Sequence, residues 1–198
     1  MVTSDGQSDE LICLVADMRK SSEHLMCAID GNRPSQLKRV HYETSALLPA
    51  LERTIEFKGG SVTEYLGDGI LALFRVGEDE GQCIKDAYRA AKNCIGETRE
   101  IVNAALAHRY NLPPLDVGVG LGMSKAVVTL VGLEGQEHPK AIGQNVYYAT
   151  KLARGKNQII VDETLNLRWP VKEGKGGLKF RKKDFNGVEG YLIVPGDD

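Results

Sequence analysis

The sequence predicts an α/β (α+β) fold, a mixed β-sheet with long helices packed on it. Short apolar runs of strand length, such as LICLVA (11–16) and QIIVD (158–162), alternate with two long helix-like segments, 34–56 and about 80–108. Hydrophobic residues make up 42% of the 198, enough to fill a core. No internal repeat and no linker divides the chain, so residues 10–198 are expected to form a single domain behind a loose polar leader, 1–9.

The elements follow in order. LICLVA ends directly on Asp17. Arg33-Pro34 opens the first long helix, in which Leu37, Val40, Leu47, Leu48, Leu51 and Ile55 roughly keep helical spacing. Pro49 is expected to kink or split it. After Gly59-Gly60 come two short strands, 61–66 and 70–75, joined as a hairpin by Gly67-Asp68-Gly69. The second long helix carries Ile84, Ala87, Ala91, Ile95 and Ile101, and Pro113-Pro114 stops it. LDVGVGLG (115–122) alternates glycine with apolar residues, a strand on which another backbone or a helix sits closely. AVVTLVG (126–132) is expected to be a separate strand pairing next to it, followed by a loop. Residues 143–154 look helical, 158–162 are a strand, and LKFRKKDF with VEGYLIV closes the chain as a strand pair.

Composition excludes several functions. A net charge of −2 argues against a general nucleic-acid binder. No stretch approaches the ~18 apolar residues of a membrane span, and the polar start VTSDGQSDE is no signal peptide, so a cytoplasmic protein is expected. Cys13, Cys27, Cys83 and Cys94 lack short metal-type spacing and read as free thiols of a reducing compartment.

Two carboxylates carry the chemistry. Asp17 sits at a strand end, where it can face a ligand. Asp68 occupies a turn whose flanking glycines let a phosphate or metal come close. At the ends of adjacent strands the two could hold two hard divalent ions against a triphosphate. Each alone has an ordinary structural explanation, a helix cap and a common turn. In the same order the chain presents LVADMRKSS (14–22), KGGSVTEYLGDGILALF (58–74), LDVGVGLGMSKAVVTLVG (115–132) and AIGQNVYYATKLA (141–153). Together these segments resemble the catalytic domain of class III adenylate and guanylate cyclases, which has a ferredoxin-like core.

The resemblance implies a mechanism. Asp17 and Asp68 would bind two Mg²⁺ or Mn²⁺ ions, with the Met18 carbonyl as an extra ligand. Backbone N–H groups of Arg19, Lys20, Ser21 and Ser22 would cradle the phosphates. Lys20 adds a cation there, or is a solvated surface lysine. It also implies a two-fold homodimer with shared sites, the aspartates of one subunit facing the helix after the Ile142-Gly143 motif of the other.

Three departures from the family pattern bear on substrate. Where purine cyclases carry an Asn and an Arg on that helix, this chain has Tyr147 and Lys151. Lys supplies charge without the bidentate fork of Arg. At the base-reading positions stand Glu64 and Lys140, the latter in an expected loop. Glu64 could accept from a ring N–H and Lys140 donate to a keto oxygen, a pattern that guanine and uracil present and adenine and cytosine reverse. Length and the Tyr/Lys replacement also resemble the bacterial pyrimidine cyclases of the Pycsar anti-phage system. Members make cyclic UMP or cyclic CMP, which a separate effector reads. The expected substrate is therefore UTP. Rival readings are a cytidylate, guanylate or adenylate cyclase, and a catalytically dead nucleotide-binding domain for which Tyr147 leaves room. A diguanylate cyclase is more distant, because the G-G-D/E-E-F signature is absent.

Overall fold

A computed structural model describes residues 8–26, 35–170, 177–185 and 187–194. Most of the leader, Cys27 and the expected Arg33-Pro34 helix opening lie outside the described residues.

The elements are β1 (Asp9–Met18), α1 (Ser21–Met26), α2 (Gln36–Glu56), β2 (Ser61–Tyr65), β3 (Gly69–Arg75), α3 (Glu80–Asn93), a π-helical turn (Cys94–Thr98) and α4 (Arg99–Tyr110). There follow β4 (Val117–Val131), β5 (His138–Gly143), α5 (Gln144–Leu152), β6 (Ile159–Val161), α6 (Glu163–Arg168), β7 (Lys179–Asp184) and β8 (Glu189–Val194). One sheet runs β2-β3-β1-β4-β6-β8-β7, and β5 pairs with β4 off that path. Its first four strands are mutually antiparallel, and with the connecting helices they make the ferredoxin-like core. The expected mixed sheet with packed helices is the fold observed.

β1 is central, and its stretch from Leu11 to Ala16 is apolar and buried because both faces are covered there. Ile12, Leu14, Ala16 and Met18 pack with Leu47, Leu51, Ile55, Ile84 and Leu106 from α2, α3 and α4. Leu11, Cys13 and Val15 pack on the other face with Ala149 and Ala153, in and just after α5. Cys13 and Cys94 are buried free thiols, and Cys83 is half-buried.

Four expectations need correction. Residues 115–122 and 126–132 are not two paired strands: β4 runs unbroken through them. Its partner changes at Ala126, from β1 to β5, and a change of partner leaves no turn residue to read. Lys140 is accordingly in a strand, opposite Thr129, rather than in a loop. Of the two outcomes expected at Pro49, the split does not occur: α2 runs through it as one helix. The second long helix is broken at Gly96, whose φ −105° and ψ −108° are non-helical. That π turn rotates the following face, so Ile101, one of the apolar positions named along the expected helix, is 63% exposed. α6 is an additional short helix. The side chain of its N-cap, Asp162, accepts from the Leu165 and Met123 amides at 2.9 and 3.0 Å. Burial pushes that carboxyl up to about 6.

The glycines of β4 seat α5. A Cβ at Gly120 would lie 2.0 Å from the Ala149 carbonyl oxygen and 2.6 Å from the Ala153 nitrogen. Gly118 and Gly122 meet backbone oxygens at 2.6 Å in the same way. Backbone cannot step aside as a flexible side chain can. Gly120→Ala is therefore expected to cost about 3 kcal/mol or more in urea unfolding. A variant of wild-type stability would mean that α5 is not held on β4 by this contact.

Candidate functional site

Asp17 comes next to last in β1, opposite Gly69 at the start of β3. The hairpin tip carrying Asp68 is drawn onto β1 by the Met18 amide, which donates to the Asp68 carbonyl at 3.2 Å. Gly67 adopts φ +83°, which the turn requires of a residue without a side chain. Gly69 serves close approach, since a Cβ there would lie 2.7 Å from the Ala16 carbonyl oxygen and 3.0 Å from Asp17 Oδ1. The two carboxylates thus share one wall of a cavity of about 590 Å³, which Met18, Arg19, Lys20, Ser21 and Ser22 also line.

The Met18 side chain is in the core at 1% exposure, so only its backbone is placed to serve the cavity. Lys20 turns the chain from β1 into α1 with φ 64°, a conformation costly for a residue with a Cβ. Its ammonium pairs with Glu23 at 3.0 Å. The Arg19 amide, expected in the phosphate cradle, instead donates to the Asp116 carbonyl at 2.8 Å. That corrects its part in the cradle, and its side chain has another role. The guanidinium bonds Asp17 at 2.7 Å and the Ala153 carbonyl at 3.1 Å. α1 buries no residue and is tied down by polar contacts. His24 meets Glu43 of α2 at 2.9 Å, and Arg39 donates to the same fully buried carboxylate at 2.9 Å.

Burial first, then the charge of Asp68, push the Asp17 carboxyl up to about 6, against the opposing pull of Arg19 and Arg154. Two acidic groups held close in a half-buried wall favour positive charge between them. The donor set is all oxygen, the preference of hard divalent cations. Among the described residues no group of three or more His, Cys, Asp or Glu side chains gathers. The ligands on offer are therefore the two carboxylates and the Met18 carbonyl. These residues fit Mg²⁺ or Mn²⁺.

Sequence reasoning missed Arg154, Thr150 and Leu66, which complete the cavity wall. Arg154 is one helical turn beyond Lys151, at the end of α5 that abuts β1. Only the docking of α5 on the Gly118–Gly120 stretch reveals it. The structure does not bring Tyr147 or Lys151 to this cavity. Tyr147 is 54% exposed, and the Lys151 ammonium lies 5.9 Å from its ring centre. Glu64 and Lys140 also stand off this wall, but they are together. Lys140 donates to Glu64 at 2.5 Å, and the Ala141 amide reaches the same carboxylate at 3.3 Å. Glu64 is two residues upstream of Leu66.

Among the described residues no helix is long and apolar enough to cross a membrane.

No protein-family model matches the chain, and no curated protein matches it by sequence. Solved structures do match. The guanylyl cyclase Cya2 is similar with a TM-score of 0.77 at 18% identity, over 98% of this chain and 95% of that one. The adenylyl cyclase CyaB from P. aeruginosa has a TM-score of 0.72 at 15% identity, over 95% of each chain. The guanylate cyclase domain of RhGC from Catenaria anguillulae, in complex with GTP, has a TM-score of 0.68 at 13% identity, over 97% of this chain and 100% of that one. Identities this low speak for architecture alone, and the architecture is that of the class III nucleotidyl cyclase domain.

Proposed function

We propose that this protein is a nucleotidyl cyclase that converts UTP to 3′,5′-cyclic UMP and pyrophosphate. The observation that carries the reading is the pair Asp17 and Asp68 on one cavity wall at adjoining strand ends, within a cyclase fold. The fold neighbour solved in complex with GTP supports a nucleoside triphosphate as the ligand. Two divalent ions, when bound, supply Lewis acidity at the ribose 3′-hydroxyl and neutralise the triphosphate. Asp17, Asp68 and the Met18 carbonyl would hold them. The amides of Lys20, Ser21 and Ser22, residues that line the cavity, would donate to phosphate oxygens. Across a homodimer interface, Lys151 of the second subunit would place positive charge beside the transferring phosphoryl group, with Tyr147 shaping the ribose pocket.

The choice of base rests on Glu64 and Lys140. An incoming keto base can take over both halves of this ion pair, its ring N–H going to Glu64 and its oxygen to Lys140. An amino base would set donor against donor and acceptor against acceptor, leaving the mostly buried Glu64 carboxylate unpaired, which sites reject strongly. The Tyr147 and Lys151 replacements support a pyrimidine over a purine. By the same likeness, the product is a second messenger read by a separate effector in anti-phage defence.

One assay tests the assignment. The pure protein is incubated with each of the four nucleoside triphosphates and Mn²⁺, and products are identified by mass. Cyclic UMP should dominate. Mostly cyclic CMP or cyclic AMP would show that Glu64 and Lys140 are misassigned, and cyclic GMP would keep the keto reading but refute the pyrimidine one. No cyclic product from any of them would leave a nucleotide-binding domain without turnover.

A further inference from the structure

We infer that Arg154 grips the β- and γ-phosphates of the triphosphate, and the pyrophosphate that leaves, from the same chain that supplies Asp17 and Asp68. The choice of ligand rests on the nucleotidyl cyclase reading above.

The turn that carries Arg154 is pinned on both sides. Just before it, the Ala153 carbonyl accepts from the Arg19 guanidinium at 3.1 Å. Just after it, Gly155 has no room for a side chain, since a Cβ there would lie 2.5 Å from Gln158 Cβ. The Gly155 carbonyl oxygen in turn presses on β4, within 2.6 Å of where a Cβ of Gly118 would be. Asn157, at φ 51°, exchanges bonds with Val117. Its amide donates to the Val117 carbonyl at 2.9 Å, and its Oδ1 accepts from the Val117 amide at 3.0 Å. Lys156 pairs with Asp116 at 3.1 Å. None of these contacts uses the Arg154 side chain, which is exposed and lines the cavity beside Asp17 and Asp68.

Charge and geometry then assign the partner. Arg19, Lys20 and Arg154 are the lysines and arginines among the described residues of this wall. Arg19 is matched by Asp17 at 2.7 Å, and Lys20 by Glu23 at 3.0 Å. Arg154 is near enough to Asp17 for its charge to pull that carboxyl down. Cyclisation joins the ribose 3′-oxygen to the α-phosphorus and breaks the bond from that phosphorus to the α,β-bridging oxygen. The 3′-hydroxyl proton goes to water, and the electron pair of the broken bond leaves with pyrophosphate. Negative charge therefore builds on the leaving group, where a fixed cation stabilises it most. A guanidinium presents parallel N–H groups that suit oxygens of two neighbouring phosphates, which an ammonium cannot match. Arg154 belongs to the chain whose Lys20–Ser22 turn lies under the phosphate tail, which leaves the α-phosphoryl group to Lys151 of the second subunit.

The whole protein, with Mg²⁺, is titrated by calorimetry with α,β-methylene-UTP, which cannot release pyrophosphate, with inorganic pyrophosphate and with UMP. Arg154→Ala should bind the first two at least about ten-fold more weakly and UMP within about two-fold of wild type. Arg154→Lys keeps the charge without the fork and should fall between. Both variants should keep the wild-type Tm, because the side chain is exposed. With UTP as substrate, kcat of Arg154→Ala should drop at least about ten-fold. The inference is overturned if wild type binds neither polyphosphate up to about 10 mM, if Arg154→Ala binds both as wild type does, if UMP loses as much affinity as they do, or if the loss comes with a lowered Tm. The pyrophosphate arm needs neither a base nor turnover. Pyrophosphate held through Arg154 by a protein that makes no cyclic nucleotide would sink the cyclase reading and keep the grip. A working cyclase indifferent to Arg154→Ala would sink the grip alone.

Discussion

Asp17→Ala and Asp68→Ala, made separately, should each lower cyclisation by about a thousand-fold or more while the protein stays folded. The two effects part company because of where the carboxylates are. Neither is buried in the apolar core, and their mutual repulsion in a half-buried wall opposes folding rather than aiding it. Among the described residues the one side-chain bond at stake is that from Arg19 to Asp17, and the Arg19 guanidinium keeps the Ala153 carbonyl as a partner. Unfolding midpoints at neutral pH should therefore match or exceed wild type, as is common when functional strain is removed. Activity should not recover at high metal concentration, because an alanine offers no oxygen. Normal turnover by either variant at equal metal would remove these residues from the mechanism. Loss of activity with loss of fold would mean that the pair is structural.

The sequence exposed this pair for physical reasons. Both aspartates follow from local grammar, an apolar run that ends and a glycine-bounded turn, and a hairpin next to a central strand brings its tip to that strand's end. The seating of α5 was legible for the same reason, since glycine at every second position of β4 has few other uses. What stayed hidden depends on pairing between distant segments. β5 looked like loop because HPKAIG has little strand character of its own and forms on an edge offered by the far half of β4. The break in the second long helix was hidden because a single non-helical residue, Gly96, changes the helical phase without changing the apolar spacing on either side. The ion pair of Glu64 with Lys140 spans β2 and β5, and no periodicity joins residues 76 apart.

The same contrast between near and far decides how the site is completed, and complementation measures it. Asp17 and Asp68 face the cavity of their own chain, whereas Tyr147 and Lys151 are on the outer side of α5, away from it. Leu130, Val131, Ile142 and Tyr147 are each at least 51% exposed, apolar surface of the kind a two-fold contact covers. Asp68→Ala and Lys151→Ala should each be inactive alone. After mixing under conditions that let subunits exchange, a heterodimer holds one site with both lesions and one intact site, because each lesion falls on a different half of the composite site. Activity should return, up to half of the wild-type value per heterodimer. Exchange is confirmed independently by mass on differently tagged chains. If exchange occurs, both parents are dead and no activity returns, the shared site is refuted. The positive charge must then come from the chain that holds the aspartates, and Arg154, already on the cavity wall and already lowering the Asp17 carboxyl, is in place to supply it.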